Sequence, residues 1–200
     1  MFKSILNKKK IITQENILEI LAVIAFVLIG ISVRLLPHLP NFTPVAAIAL
    51  FGGFYFRNKK VAFILPVIVM LVSDMFIGYY QISLMAVVYG SFLLCVILGS
   101  KLIKHEEWYT ILGSSLLAAI IFFLLTNFAV WFTTSWYPKS ISGILQCYLM
   151  GLPFFRNTLL GNVFYVSCFF GIYKLVGFLV GKKLEVYKKG LVLTGYYKND

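Results

Sequence analysis

The chain is poor in charge. Its 200 residues include 18 Lys and Arg and 7 Asp and Glu, so 12% of positions are charged, where a soluble domain carries about 25%. It has 3 cysteines and 2 histidines. Cys95, Cys147 and Cys168 form no C-x-x-C and no metal-ligand spacing, which excludes a disulfide-stapled secreted module and a cysteine metal centre. We read them as small apolar residues. Catalytic signatures are missing too: no G-x-x-x-x-G-K-[ST], no H-E-x-x-H, no G-x-S-x-G and no paired carboxylates. His38 and His105 fall on opposite faces of the expected fold and cannot share a metal. The expectation is therefore no cofactor, no metal and no catalytic residue. An enzyme would have to work with Arg34, His38 and Asp74 alone, so the chain is read as a non-enzyme.

What the chain has is apolar length. Hydrophobic residues make up 60% of it, with a mean hydropathy of +0.91. About 20 apolar residues cross the ~30 Å of a bilayer core. Ile17–Leu36, Val61–Tyr80, Ile82–Ser100, Tyr109–Phe132 and Arg156–Val180 meet that length. A shorter uncharged run, Pro44–Phe56, has Thr43 to cap its first turn, Pro44 at its first position and Arg57-Asn58-Lys59-Lys60 to close it. At 1.5 Å per residue it covers only ~20 Å, so its outer end must be recessed. The fold class that follows is an all-α polytopic membrane bundle of six transmembrane helices.

Six spans sort the basic residues sharply. All of them except Arg34, Lys139 and Arg156 fall on one set of connections and termini. Positively charged loops stay in the cytoplasm, so both termini are expected inside. The chain then divides into a basic cytoplasmic N-terminus (1–16), a single membrane domain (17–180) and a basic cytoplasmic tail (181–200). The formal charge of +11 is explained by topology. It calls for membrane lipid as a partner and for no nucleic acid. The expected location is the cytoplasmic membrane of a bacterium.

The connection Thr133–Phe155 contains a short apolar stretch, Ile141–Met150, which Ser140 can cap and Gly151 with Pro153 can end. Ten residues are too few to span, so a short external interfacial helix is expected there. It is either a lid over an external cavity or an ordinary surface helix with Trp136 and Tyr137 as belt residues.

Polar residues inside spans are costly, so their depths are informative. Asp74, Asn127 and Asn162 all fall roughly 8–9 Å below the expected outer face. Arg34 and His38 close the first span there. Asn41, Thr43, Asn157 and Thr158 cap inward-running helices whose positive dipole ends face outward. Aromatics, Trp131 among them, gather at the same rim. The pattern describes a cup open to the outside, able to hold a small polar-aromatic solute. The candidate ligand-binding residues are Asp74, Asn127, Asn162, Arg34, Asn41, Trp131 and Asn157. The alternative is packing alone, with Arg34 and Asp74 as a structural ion pair and the asparagines as glue between helices. Close-approach pairs such as Ala49/Gly53 and Ser114/Ala118 would serve contacts within the chain or with a partner.

At Asn41-Phe42-Thr43-Pro44-Val45-Ala46-Ala47, Ser73-Asp74, Thr126-Asn127-Phe128 and Gly151-Leu152-Pro153-Phe154-Phe155-Arg156-Asn157-Thr158-Leu159-Leu160-Gly161, the chain resembles a bacterial integral-membrane family of unknown function that carries only a transport label. The resemblance runs from about Arg34 to Lys174. In size and topology the chain is also distantly similar to the substrate-binding subunits of energy-coupling-factor vitamin transporters. That similarity implies a small-molecule solute, an external cup, and a transmembrane coupling subunit with ATPases as partners. In such subunits a small-residue signature docks the membrane partner, and Ala49/Gly53 is the nearest counterpart here. The function expected is capture and inward movement of a vitamin-like solute. A structural or assembly subunit is the alternative, and an intramembrane enzyme a further one.

Overall fold

The computed structural model describes the backbone of residues 2–104 and 106–196, and the side chains of residue 17 and of 19–104 and 106–179. His105 and the side chains of the basic N-terminal stretch and of the tail lie outside what is described.

Six helices follow one another: α1 (Phe2–Leu35), α2 (Val45–Tyr55), α3 (Lys59–Ile77), α4 (Ile82–Leu102), α5 (Trp108–Thr133) and α6 (Ile141–Tyr196). No strand occurs among the described residues. Four helical stretches are long and apolar enough to cross a membrane: α3, α4, α5 and the Ile141–Leu179 part of α6. Their outward faces carry large apolar side chains in the open, for example Phe128, Leu160 and Phe164. α1 likewise exposes Ile20, Leu21, Ile24 and Leu28. A surface of this kind in water would far exceed the apolar patch that soluble monomers tolerate.

α2 is the centre of the molecule. Its 11 residues contain no charge, and Val45 through Gly53 are all buried. It touches each of the other five helices. Its closest approach is to α4, where the backbones meet without side chains between them. A Cβ on Gly53 would meet the carbonyl oxygen of Val96, and a Cβ on Gly99 that of Leu50. Only glycine fits such a crossing, since the neighbour is backbone and cannot rotate away. Ala49/Gly53 is therefore used up inside the bundle. That corrects its reading as the counterpart of a docking signature for a membrane partner.

The far end of α2 is closed by Lys59, whose ammonium donates to the carbonyls of Gly53 at 2.7 Å and Phe56 at 3.0 Å. Those are carbonyls that the helix leaves without internal partners. At the other end the expected cap is not made. Pro44 is the N-cap itself and no side chain bonds the first turn, so Thr43 does not cap it. Ser140, by contrast, does accept from the Gly143 N–H at 3.2 Å, as its position before α6 predicts.

The separate external helix expected at Ile141–Met150 is absent. That stretch is the start of α6, which continues through Gly151 and Pro153 into the last span. One proline removes one helical hydrogen bond and bends a helix without ending it when packing on both sides holds the turn. Here Gly151 allows the hold: a Cβ there would press on the Asn127 side chain of α5. The Ile141–Leu179 part alone is about 58 Å long at 1.5 Å per residue, nearly twice a bilayer core. At 56 residues α6 is the longest of the six helices.

Gly99→Val is expected to abolish a folded, monodisperse protein on size exclusion in detergent. Gly113 is the control, because a Cβ there would meet nothing within 4 Å. Gly113→Ala should leave elution unchanged and raise stability by about 0.5–1 kcal/mol.

Candidate functional site

One end of the bundle gathers the C-terminal ends of α1, α3 and α5 and the start of α2 and α4. A cavity of about 420 Å³ opens there, with walls from all six helices and their connections. Its polar lining includes Arg34, Asn41, Thr43, Tyr80, Thr158 and Asn162, and its apolar floor includes Met70, Phe92 and Phe122. A second cavity of about 250 Å³ shares Asn41, Val88 and Phe122 with it and extends toward Asn127, Trp136 and Tyr137.

The charged element of the site is built in a chain of contacts. Arg34, in the last turn of α1, pairs through Nη2 with Asp74 Oδ1 of α3. Its Nε donates to Ser73 Oγ at 2.6 Å. Ser73 in turn donates back along its own helix to the Val69 carbonyl at 2.7 Å. The second carboxylate oxygen of Asp74 accepts from the Tyr89 hydroxyl of α4 at 2.6 Å. Asp74 is 1% exposed and the Arg34 side chain 14%. Both carboxylate oxygens are thus occupied, and it is Arg34 that faces the cavity while Asp74 lies behind it. A buried carboxylate is tolerated in an apolar bundle only with such partners.

The expected site residues divide accordingly. Arg34, Asn41 and Asn162 line the main cavity together. Asn127 lines the smaller one, while its Nδ2 donates to the Phe123 carbonyl at 2.8 Å. Asp74 positions Arg34 rather than lining the space. Trp131 stands apart: its Nε1 donates to the Pro138 carbonyl at 2.9 Å. Lys139 sits 5.5 Å from the Trp131 ring centroid and donates to the Thr134 carbonyl at 2.6 Å, closing the end of α5. Asn157 also lies off the cavity, inside α6 rather than at a cap, and donates to the Pro40 carbonyl at 3.0 Å. That bond pins the α1–α2 connection, where the Phe42 N–H donates to the Leu39 carbonyl and Asn41 takes a positive φ of 64°. The loop so held carries Asn41 over both cavities.

Residues the sequence did not flag are Tyr89, Phe92 and Phe122. A signal for Tyr89 existed. The four-residue connection 78–81 makes α3 and α4 antiparallel neighbours, so a hydroxyl eight residues beyond the turn can reach a carboxylate four residues before it. The stretch 141–150, expected as either a lid or an ordinary surface helix, supplies Cys147 and Met150 to the wall of the smaller cavity.

Fold and site together define an all-helical protein with four stretches able to cross a membrane and a polar-lined cavity at one end of the bundle. It belongs to the family of unknown function DUF6580, which residues 14–185 match. No curated protein and no solved structure matches it.

Arg34→Gln and Asp74→Asn should each lower unfolding stability in detergent by about 3 kcal/mol, since each strands a buried partner. The double variant Arg34→Gln/Asp74→Asn should lose clearly less than the two losses added, and Tyr89→Phe alone about 1 kcal/mol. Strictly additive losses would show that the pair is not coupled.

Proposed function

We propose that the chain is a multi-span protein of a bacterial cytoplasmic membrane that captures a small solute in the cavity and moves it inward. The observation that carries this reading is the cavity of about 420 Å³ with polar groups converging from separate helices over an aromatic floor. Sites of this volume, mostly apolar with a few placed polar groups, are the usual form of small-molecule pockets. The wall is assembled from α1 to α6, so helix movement would change its shape. A bundle held only by packing would instead fill such a space with side chains.

The membrane reading rests on the four long apolar stretches and on the apolar outward faces. On the charge asymmetry of the loops, both termini are cytoplasmic and the cavity opens outside. The sequence has no nucleotide loop, so an ATP-driven mode requires a coupling subunit and ATPases. A docking face for them is not the Ala49/Gly53 pair, which is interior.

A narrower role favoured by one observation is structural: Asp74 has both oxygens occupied and is a fixture of the helix packing. This role and capture at the cavity are compatible, because the residue that Asp74 fixes is a wall of the cavity.

Two measurements test the reading. Green fluorescent protein fused to either terminus should fluoresce, and alkaline phosphatase inserted near Lys139 should be active; the reverse pattern rejects the orientation. Screening metabolites against the purified protein should reveal a compound that raises its melting temperature by several degrees in a dose-dependent way. If no compound does so, capture is rejected and the structural role stands.

A further inference from the structure

The guanidinium of Arg34 has five N–H donors in a planar fork. Two are used, by Nε to Ser73 and by Nη2 to Asp74. These lie on one edge of the fork. The other edge, formed by Nη1 and the second hydrogen of Nη2, makes no bond to a described residue, and Arg34 lines the cavity. The ion pair as a whole is neutral, yet it is oriented: its negative end is 1% exposed behind a tyrosine, and its positive end is at the cavity wall.

The start of α2 lines the same cavity. The first helical bond there is from the Ile48 N–H to the Pro44 carbonyl, so the N–H groups of Val45, Ala46 and Ala47 have no acceptor within the helix, and no side chain supplies one. Val45 and Ala47 are 0% exposed, Ala46 5%, and Ala46 with Thr43 lines the cavity. Buried N–H groups without partners are rare and costly, and a helix N-terminus favours an anion. A further polar group is Asn162, 3% exposed and lining the same cavity. Its Nδ2 donates to the Ser115 carbonyl at 3.4 Å, while its carbonyl oxygen accepts from no described residue. It can accept a hydrogen bond from a bound molecule.

Resting on the capture reading, we propose that the cavity takes a small amphipathic monoanion. Its carboxylate meets the free edge of Arg34 at the α2 N-terminus, its flat apolar body lies on Met70, Phe92 and Phe122, and a donor on that body meets Asn162. A single negative charge is favoured over two, because the one arginine in the lining is already paired with Asp74 and offers one bidentate edge, and apart from His38 the lining holds no other basic side chain.

The test is binding to the full chain in neutral detergent, read as the midpoint of thermal stabilisation. The probes are indole-3-acetate, indole-3-acetamide and tryptamine, followed by alkyl and aryl carboxylates each with its amide and amine. Expected are carboxylates binding at least tenfold more tightly than their neutral and cationic counterparts. Arg34→Gln alone strands Asp74, so the variant to use is Arg34→Gln/Asp74→Asn, which removes the pair without leaving a lone charge. It should remain folded and lose the tenfold preference. Amides or amines binding as well as carboxylates would overturn the proposal, as would a preference that survives in the double variant. A wider metabolite screen that finds only neutral or cationic ligands overturns it while leaving capture intact. A screen in which no compound of any charge stabilises the protein removes both readings.

Discussion

The architecture depends on a central helix that is too short. α2 spans 11 residues, about 16 Å, roughly half the thickness of a bilayer core. The helices around it are longer, so its start ends inside the bundle and leaves space above it. That space is the cavity. An uncharged helix of this length has little stability alone and takes it from packing on every side. The packing is achieved by removing side chains at the crossing with α4, where Gly53 and Gly99 bring the backbones together. At its lower end Lys59 supplies the donor that the last carbonyls lack. Its upper end has no such group, and the polar layer of the molecule assembles around that end.

The ion pair gives this layer its rigidity. Arg34 lies on α1, Asp74 and Ser73 on α3, and Tyr89 on α4, so three helices are tied at one depth by one carboxylate. Each member would be costly to bury alone, and the set is tolerated because every charge meets a partner. α5 and α6 join the site differently. They meet through small residues and side-chain-to-carbonyl bonds, as where Cys147 Sγ donates to the Asn127 carbonyl at 3.3 Å and Asn162 to that of Ser115 at 3.4 Å. Part of the cavity lining is therefore held by charge and part by shape.

Much of this is legible in the sequence because membrane helices are read from long apolar runs, and a polar residue within one stands out. Helix bounds for α4 and α5 fall within two residues of those expected from apolar length. Arg34, Asn41 and Asn162, all singled out as polar residues of one end, line one cavity. The departures share a cause: packing overrides local punctuation. Gly151 and Pro153 look like a helix end, but Gly151 serves the contact with Asn127 and the helix runs on. Thr43 looks like a cap, but Pro44 takes that place. Ala49/Gly53 looks like an outward docking face, yet it faces inward. Which side of a span a residue faces is set by neighbours distant in sequence, and the near-uniform apolarity of α2 leaves no stripe to read. Trp131 and Asn157 lie at the expected end of the molecule but off the cavity for the same reason.

The pair also bears on how the proposed uptake would be driven. A lone carboxylate in a span invites proton coupling. Here Asp74 is not lone: one oxygen is held by Arg34 and the other by Tyr89. Adding a proton to Asp74 would remove the charge that balances Arg34 and leave a guanidinium 14% exposed in an apolar setting. Compensation would have to come from a new partner for Arg34, and the described residues near it include no second carboxylate. A solute carboxylate in the cavity is the one partner the geometry leaves room for, so protonation of Asp74 and solute binding would have to favour the same state. The same carboxylate that anchors the helix packing is thus coupled, through Arg34, to whatever anion the cavity holds.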